Sequence, residues 1–125
     1  MTEPSTKPAR RIIIIEDEIA FAQTLRKMLT TLGYEVVIAI NADYSFELLD
    51  EDIIFLDVLM PDTSGLQVLD QLAHRGVKCP IVLMSGNLER LQAAERYAEN
   101  LDLNLVGALE KPFRAIDVQE VLVGV

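Results

Sequence analysis

The chain has 125 residues, 50% of them hydrophobic and 25% charged, and 20 Asp+Glu against 11 Lys+Arg leave a formal net charge of −9. That is one domain with room for a core of its own, and a disulfide framework is excluded because the single cysteine, Cys79, has no partner within the chain. The acid excess with scattered basic residues excludes a nucleic-acid surface on this domain, and the absence of both a membrane-length apolar run and a signal-peptide pattern makes a cytoplasmic, soluble domain the expectation.

Residues 1–9, with two prolines, two threonines and a serine, read as a disordered lead-in, so the domain proper is 10–125. Residues 12–15 are four consecutive isoleucines, apolar on both faces as a central parallel strand requires. Glu16-Asp17-Glu18 ends that run. Phe21, Leu25, Met28, Leu29 and Leu32 then recur at helical spacing with Gly33 behind them, which predicts a helix over 18–32 with a glycine C-cap. The alternation continues with a strand over 36–40, a short helix over 43–50, a strand over 53–56 ending at Asp57, and a turn through Met60-Pro61-Asp62. Ser64 and Gln67 have capping-box spacing before a helix carrying Leu66, Leu69 and Leu72. A strand over 81–84 follows Pro80, and Asn87 caps a helix to about residue 100, with Leu88, Leu91, Ala94, Ala98 and Leu101 on its inner face. The fifth strand lies within 103–109 and the last helix over 113–123. Five strand-helix units imply an α/β fold: a parallel, doubly wound sheet of five strands with helices on both faces.

Ligands of such sheets bind beyond the carboxyl ends of the strands, so the residues following each strand carry the functional reading. They are Glu16 and Asp17 after the first strand, Asp57 after the third, Ser85 after the fourth, and Lys111-Pro112 after the fifth. Three carboxylates on one edge repel one another unless a cation compensates, and oxygen-only donors suit Mg²⁺. The lysine and the serine hydroxyl then have a second anion to hold, and Gly86 leaves room beside it. A phosphoryl group held between metal, lysine and serine, with Asp57 as the carboxylate nucleophile, satisfies all of these residues together. Elsewhere the chain reads blandly. His74 is a surface or capping residue, Cys79 lies at the core edge, and the methionines with Phe21, Phe46, Phe55 and Phe113 belong to the core.

The segments Ile-Ile-Glu-Asp-Glu at 14–18, Phe-Leu-Asp-Val-Leu-Met-Pro-Asp-Thr-Ser-Gly at 55–65, Met-Ser-Gly at 84–86 and Glu-Lys-Pro-Phe at 110–113 resemble, in order and spacing, the receiver domain of bacterial two-component response regulators over about residues 10–123. The resemblance implies the flavodoxin-like (βα)5 fold and a phosphoryl group passed from a sensor histidine kinase or phosphotransfer protein to Asp57. It further implies Mg²⁺ held by Glu16 (directly or through water), Asp17, Asp57 and the Leu59 carbonyl, Ser85 and Lys111 on the phosphoryl oxygens, and a cis bond before Pro112. The domain would then control an output domain in a longer chain, a partner protein or a homodimer, without meeting nucleic acid or membrane itself. The stretch 103–113 is similar to receivers joined to EAL-type cyclic-di-GMP phosphodiesterase domains, which implies a piece of a longer regulator.

Three features depart from that family's pattern. Ala108 stands where receivers usually carry an aromatic switch, so output must run through Ser85, its loop or dimer contacts. The stretch 41–52 is short. Leu59 and Asn87 occupy the positions that tune water attack on a phosphoaspartate, and an apolar Leu59 hinders it. The alternatives are an aspartyl-nucleophile phosphohydrolase, which would want an acid at 59, and a flavodoxin-like binding module, which would want small hydroxyl residues after the first strand.

Overall fold

The computed structural model describes residues 10–39, 48–60 and 64–125. Five strands, β1 (Arg11–Ile15), β2 (Glu35–Ala39), β3 (Ile53–Asp57), β4 (Ile81–Ser85) and β5 (Leu105–Glu110), form one parallel sheet in the order β2-β1-β3-β4-β5. Four helices are described: α1 (Ile19–Thr31), α2 (Gly65–His74), α3 (Leu88–Asn100) and α4 (Ala115–Leu122). The predicted helix over 43–50 falls mostly outside the described residues, and residues 48–50 at its end are not helical. The 1–9 lead-in, Ile40 and Phe46 also lie outside them.

The period-two geometry of strands explains how the isoleucine run builds two cores. Ile13 and Ile15 face one side with Ile54, Leu56, Ile81 and Leu83, where α2 and α3 supply Val68, Leu69, Leu72, Leu91, Ala94 and Ala98. Ile12 and Ile14 face the other with Ile53, Phe55, Val82 and Met84, covered by Ala22, Leu25, Leu29, Val118 and Leu122 of α1 and α4. Each such buried aliphatic contributes roughly 1.5–3 kcal/mol relative to exposure, so the central strands β1, β3 and β4 anchor everything else. Cys79 sits in the first of these cores, where burial pushes its thiol up to about 11. His74, in the last turn of α2, is exposed.

Helix ends follow the sequence closely. Gly33 closes α1 at φ +96°, a left-handed conformation that glycine adopts without a Cβ penalty, and its N–H donates to the Thr30 carbonyl at 3.0 Å. Ser64 opens α2, with Leu66 N–H donating to Ser64 Oγ at 3.1 Å and Ser64 N–H donating to Gln67 Oε1 at 3.2 Å. Asn87 Oδ1 accepts the Arg90 N–H at 3.0 Å to open α3. The outer limits of the apolar stripes differ from the sequence expectation: Leu32, Leu66 and Leu88 are exposed, and Val68 takes the core position on α2. Helical spacing identifies a stripe, but only the sheet's width decides where the stripe stops being covered.

Candidate functional site

The strand order places β1 beside β3 with β2 outside β1, so the direction of winding reverses between β1 and β3. Connections on either side of that point leave to opposite faces and open a crevice at the carboxyl ends. Glu16 and Asp17 emerge there from β1, and Asp57 is the last residue of β3. Carboxylate oxygens of all three lie within 4.8 Å of one another, with Glu16 and Asp57 buried and Asp17 half-buried.

Backbone geometry holds these acids in place. Glu16 N–H donates to the Ala39 carbonyl at 3.0 Å, extending the β1-β2 ladder by one bond, and Glu16 Oε1 accepts the Glu18 N–H at 3.1 Å. The side chain is thereby folded back over the start of α1, whose N-terminal N–H groups favour negative charge. Asp57 Oδ1 accepts the Leu59 N–H at 3.1 Å, and the Val58 N–H reaches the Met84 carbonyl at 2.9 Å. An antiparallel bridge between Leu59 and Ser64 ties the second residue past Asp57 to the start of α2. Gly65 is required for this approach: a Cβ there would lie 2.5 Å from the Val58 Cα.

Lys111, just past β5, brings the one cation into contact with the acids among the described residues. Its N–H donates to the Ser85 carbonyl at 2.8 Å, which continues the β4-β5 ladder, and the Lys111-Pro112 bond that follows is cis. The ammonium lies 2.6 Å from Glu16 Oε2 and 3.4 Å from Asp57 Oδ2. It therefore leans on Glu16, and its side chain is only 18% exposed. Ser85 is fully buried one residue beyond Met84, the register partner of Asp57, and its Oγ accepts the Asn87 N–H at 3.0 Å. That bond leaves the hydroxyl proton as a donor. Beside it the space is open, since a Cβ at Gly86 would meet no heavy atom within 4 Å.

One cation against three carboxylates leaves the cluster under strain of like charge. Burial pushes the Glu16 carboxyl up to about 7, and a hydrogen bond and negative charge from Asp57 add to the rise. The Lys111 ammonium and the Glu18 N–H pull in the opposite direction without offsetting it. The donor set fits a small divalent cation: the ligating atoms are all oxygen, and opposite oxygens around Mg²⁺ stand about 4.2 Å apart, close to the span of this cluster.

The structure thus brings Glu16, Asp17, Asp57, Lys111 and the Leu59 backbone to one edge, with Ser85 next to it. It also adds two residues that sequence reasoning assigned to the core. The Phe21 ring lies under the Lys111 ammonium, 4.0 Å from ring centroid to nitrogen, and Phe113 meets Phe21 edge-on at 5.5 Å and 89°. Both are half-buried at the margin of the α1-α4 core.

Comparison with known proteins agrees with this architecture. Residues 12–123 match the model of the response regulator receiver domain family, and the chain belongs to that family. It is a receiver domain of two-component signalling, with the five parallel strands of that fold. Among curated relatives, it is 34% identical over 106 residues to the response regulator MprA of Mycolicibacterium vanbaalenii, which covers 82% of this chain and 44% of that protein. It is 33% identical over 106 residues to the cell cycle transcriptional regulator CtrA of Caulobacter vibrioides, covering 82% and 44%. The transcriptional regulatory protein DltR of Streptococcus agalactiae is 29% identical over 108 residues, covering 84% and 46%. The chain spans about half the length of these relatives. Of solved structures, a response regulator from Colwellia psychrerythraea superposes with a TM-score of 0.83 at 25% identity, over 93% of this chain and 95% of that one. No helix among the described residues is long and apolar enough to cross a membrane.

Proposed function

We propose that Asp57 is the phosphoacceptor of this receiver and that Glu16, Asp17, Asp57 and the Leu59 carbonyl hold the Mg²⁺ its chemistry requires. The observation that carries the reading is the position of Asp57 at the end of the central strand. There its carboxylate lies within 4.8 Å of two further acids and 3.4 Å from the Lys111 ammonium. An Asp57 oxygen attacks phosphorus in line, the bond from phosphorus to the imidazole nitrogen of a partner's phosphohistidine breaks, and the bonding pair returns to that imidazole. Bound Mg²⁺ would neutralise charge on the phosphoryl oxygens and on the carboxylates around them. The chain's own residues do the rest. The Leu59 N–H fixes the rotamer of Asp57 by holding Oδ1, which directs Oδ2 toward the crevice. Lys111 shifts its ammonium from Glu16 to the new phosphoryl group, and the buried Ser85 hydroxyl donates to another of its oxygens. The domain in this sense catalyses its own phosphorylation.

Leu59 disfavours the phosphohydrolase alternative, which needs an acid at that position. The acids after β1 likewise disfavour a flavodoxin-like phosphate loop. The kinase-side partner is a sensor histidine kinase or phosphotransfer protein, acting in the cytoplasm. Two of the relatives are named as transcriptional regulators, and we assign a gene-regulatory output to the full-length protein ahead of the EAL-type output that the 103–113 stretch resembles.

The test is to incubate the protein with Mg²⁺ and acetyl phosphate and to weigh it intact. A single phosphoryl adduct, absent in Asp57→Ala and absent with EDTA, is the expected result. No adduct even with a histidine kinase donor, or an undiminished adduct in Asp57→Ala, overturns the reading.

A further inference from the structure

We infer that Phe21 is a positioning residue for Lys111: its ring face is the third wall of the seat in which the ammonium waits, and Phe113 buttresses that ring. The inference rests on the proposed role of Lys111 toward a phosphoryl group and names the residue that holds the lysine ready for it.

A lysine side chain has four rotatable bonds, and confining it costs entropy unless contacts hold it. The observed contacts divide into two kinds. Glu16 at 2.6 Å and Asp57 at 3.4 Å hold the ammonium through its N–H groups, and these directional bonds must be reassigned when an anionic group arrives. The Phe21 ring, 4.0 Å from the nitrogen, attracts the charge through its quadrupole and takes no particular N–H. It therefore still holds the ammonium when the hydrogen bonds are exchanged. With the lysine side chain 18% exposed, such a contact is stronger than at an open surface. The ring is itself constrained: it projects from the first turns of α1, and Phe113 packs against it edge-on at 89°, a favourable aromatic geometry.

Placement supports a role beyond filling space. Phe21 is half-buried at the rim of the α1-α4 core, while the positions around it on α1 that pack fully, Ala22 and Leu25, are smaller or aliphatic. Ala108 brings no ring to the site, and the ring contact to Lys111 comes from α1. Phe113 also lines a groove of about 440 Å³ between β5 and α4, together with Gly107, Ala108, Glu110 and Val121, so the ring pair joins the lysine to that surface.

The experiment replaces Phe21 with mono-, tri- and pentafluorinated phenylalanine, which keep the ring's shape and apolar character while draining negative charge from its face. Initial rates of phosphoryl adduct formation from acetyl phosphate should fall step by step, by roughly three- to tenfold across the series, with Phe21→Tyr and Phe21→Trp close to wild type. A merely structural ring predicts equal rates for the whole series, and that result overturns the proposal. A second readout needs no phosphorylation. The Lys111 Hε resonances should lie upfield of those of the other lysines because of the ring current, and should return to the ordinary position in Phe21→Leu. Unshifted Lys111 resonances in the wild type also overturn it. Wild-type protein that takes no phosphoryl group would count against the Asp57 reading, while the resonance measurement still decides the lysine seat.

Discussion

The two ends of the sheet each carry a partly buried ion pair, and they are built on opposite terms. At the amino end, Arg11 meets Asp52 in a two-pronged contact, Nη2 to Oδ2 at 2.6 Å and Nε to Oδ1 at 3.1 Å, and the Leu49 N–H donates to Oδ2 at 2.8 Å. Asp52 is 1% exposed, so this carboxylate is removed from water with a cation and a backbone donor to match it. The hydrogen bond to Asp52 raises the Arg11 guanidinium above its ordinary value. At the carboxyl end, Lys111 faces Glu16 and Asp57 with Asp17 close by, and the charge does not balance. The first pair is satisfied and can do nothing else. The second retains an unmet demand for positive charge, which a divalent cation would meet, and its lysine is shared between two carboxylates.

This contrast predicts unequal responses to changing an acid. Asp52→Ala removes the acceptor of the Leu49 N–H and both of Asp52's bonds from Arg11, and should lower stability by about 3 kcal/mol, read from urea unfolding. A loss under 1 kcal/mol would erase the distinction between the two ends.

The pH dependence sharpens it further. The folded-state pKa of Glu16 is raised to about 7 from an ordinary 4.5, so the folded state binds this proton more tightly than the unfolded one does. Its contribution to stability is fully present below pH 4.5 and is lost as pH rises through 7. In EDTA, unfolding measured from pH 4.5 to 8 should show this decline, about 1–3 kcal/mol, and Mg²⁺ should restore stability at the alkaline end. A profile that is flat in EDTA and unchanged by Glu16→Gln would remove the idea of a frustrated cluster.

Glu16→Gln discards the charge but keeps a single acceptor oxygen where Glu16 meets Lys111 and the Glu18 N–H with one oxygen each. Relief of like charge is therefore set against one lost contact, so the metal-free protein at pH 8 should change by only about 1 kcal/mol, while the pH profile flattens and Mg²⁺ binding weakens severalfold in a calorimetric titration. Arg11→Lys is the mildest change, since charge survives and only the fork geometry is lost, at about 1 kcal/mol or less.

Residues at strand ends were legible because strands announce themselves. Four consecutive isoleucines and the 53–56 and 81–84 runs are apolar on both faces, so their last residues could be located within a position or two. Once the fold class was known, the edge on which Glu16, Asp17, Asp57, Ser85 and Lys111 gather followed from where they stood. Capping signals at Gly33, Ser64 and Asn87 were equally local, and they appear at the expected helix ends. Phe21 was not legible in this way. Its position fits the α1 stripe as well as Leu25 does, and periodicity does not distinguish a residue that packs under the sheet from one at the stripe's rim.

The sequence alone therefore determined the α/β alternation, the identity of the acids and the lysine, and the edge on which they meet, because these depend on local pattern and on a general property of parallel sheets. The tertiary structure decided what arises from contacts between distant segments. Strand order sets Asp57 beside Glu16, forty-one residues apart, and a difference of 0.8 Å in two contacts, 2.6 against 3.4 Å, shows which carboxylate holds Lys111. The meeting of α1 with the segment after β5 is what lays an aromatic ring under that lysine, a relation no spacing along one chain segment encodes.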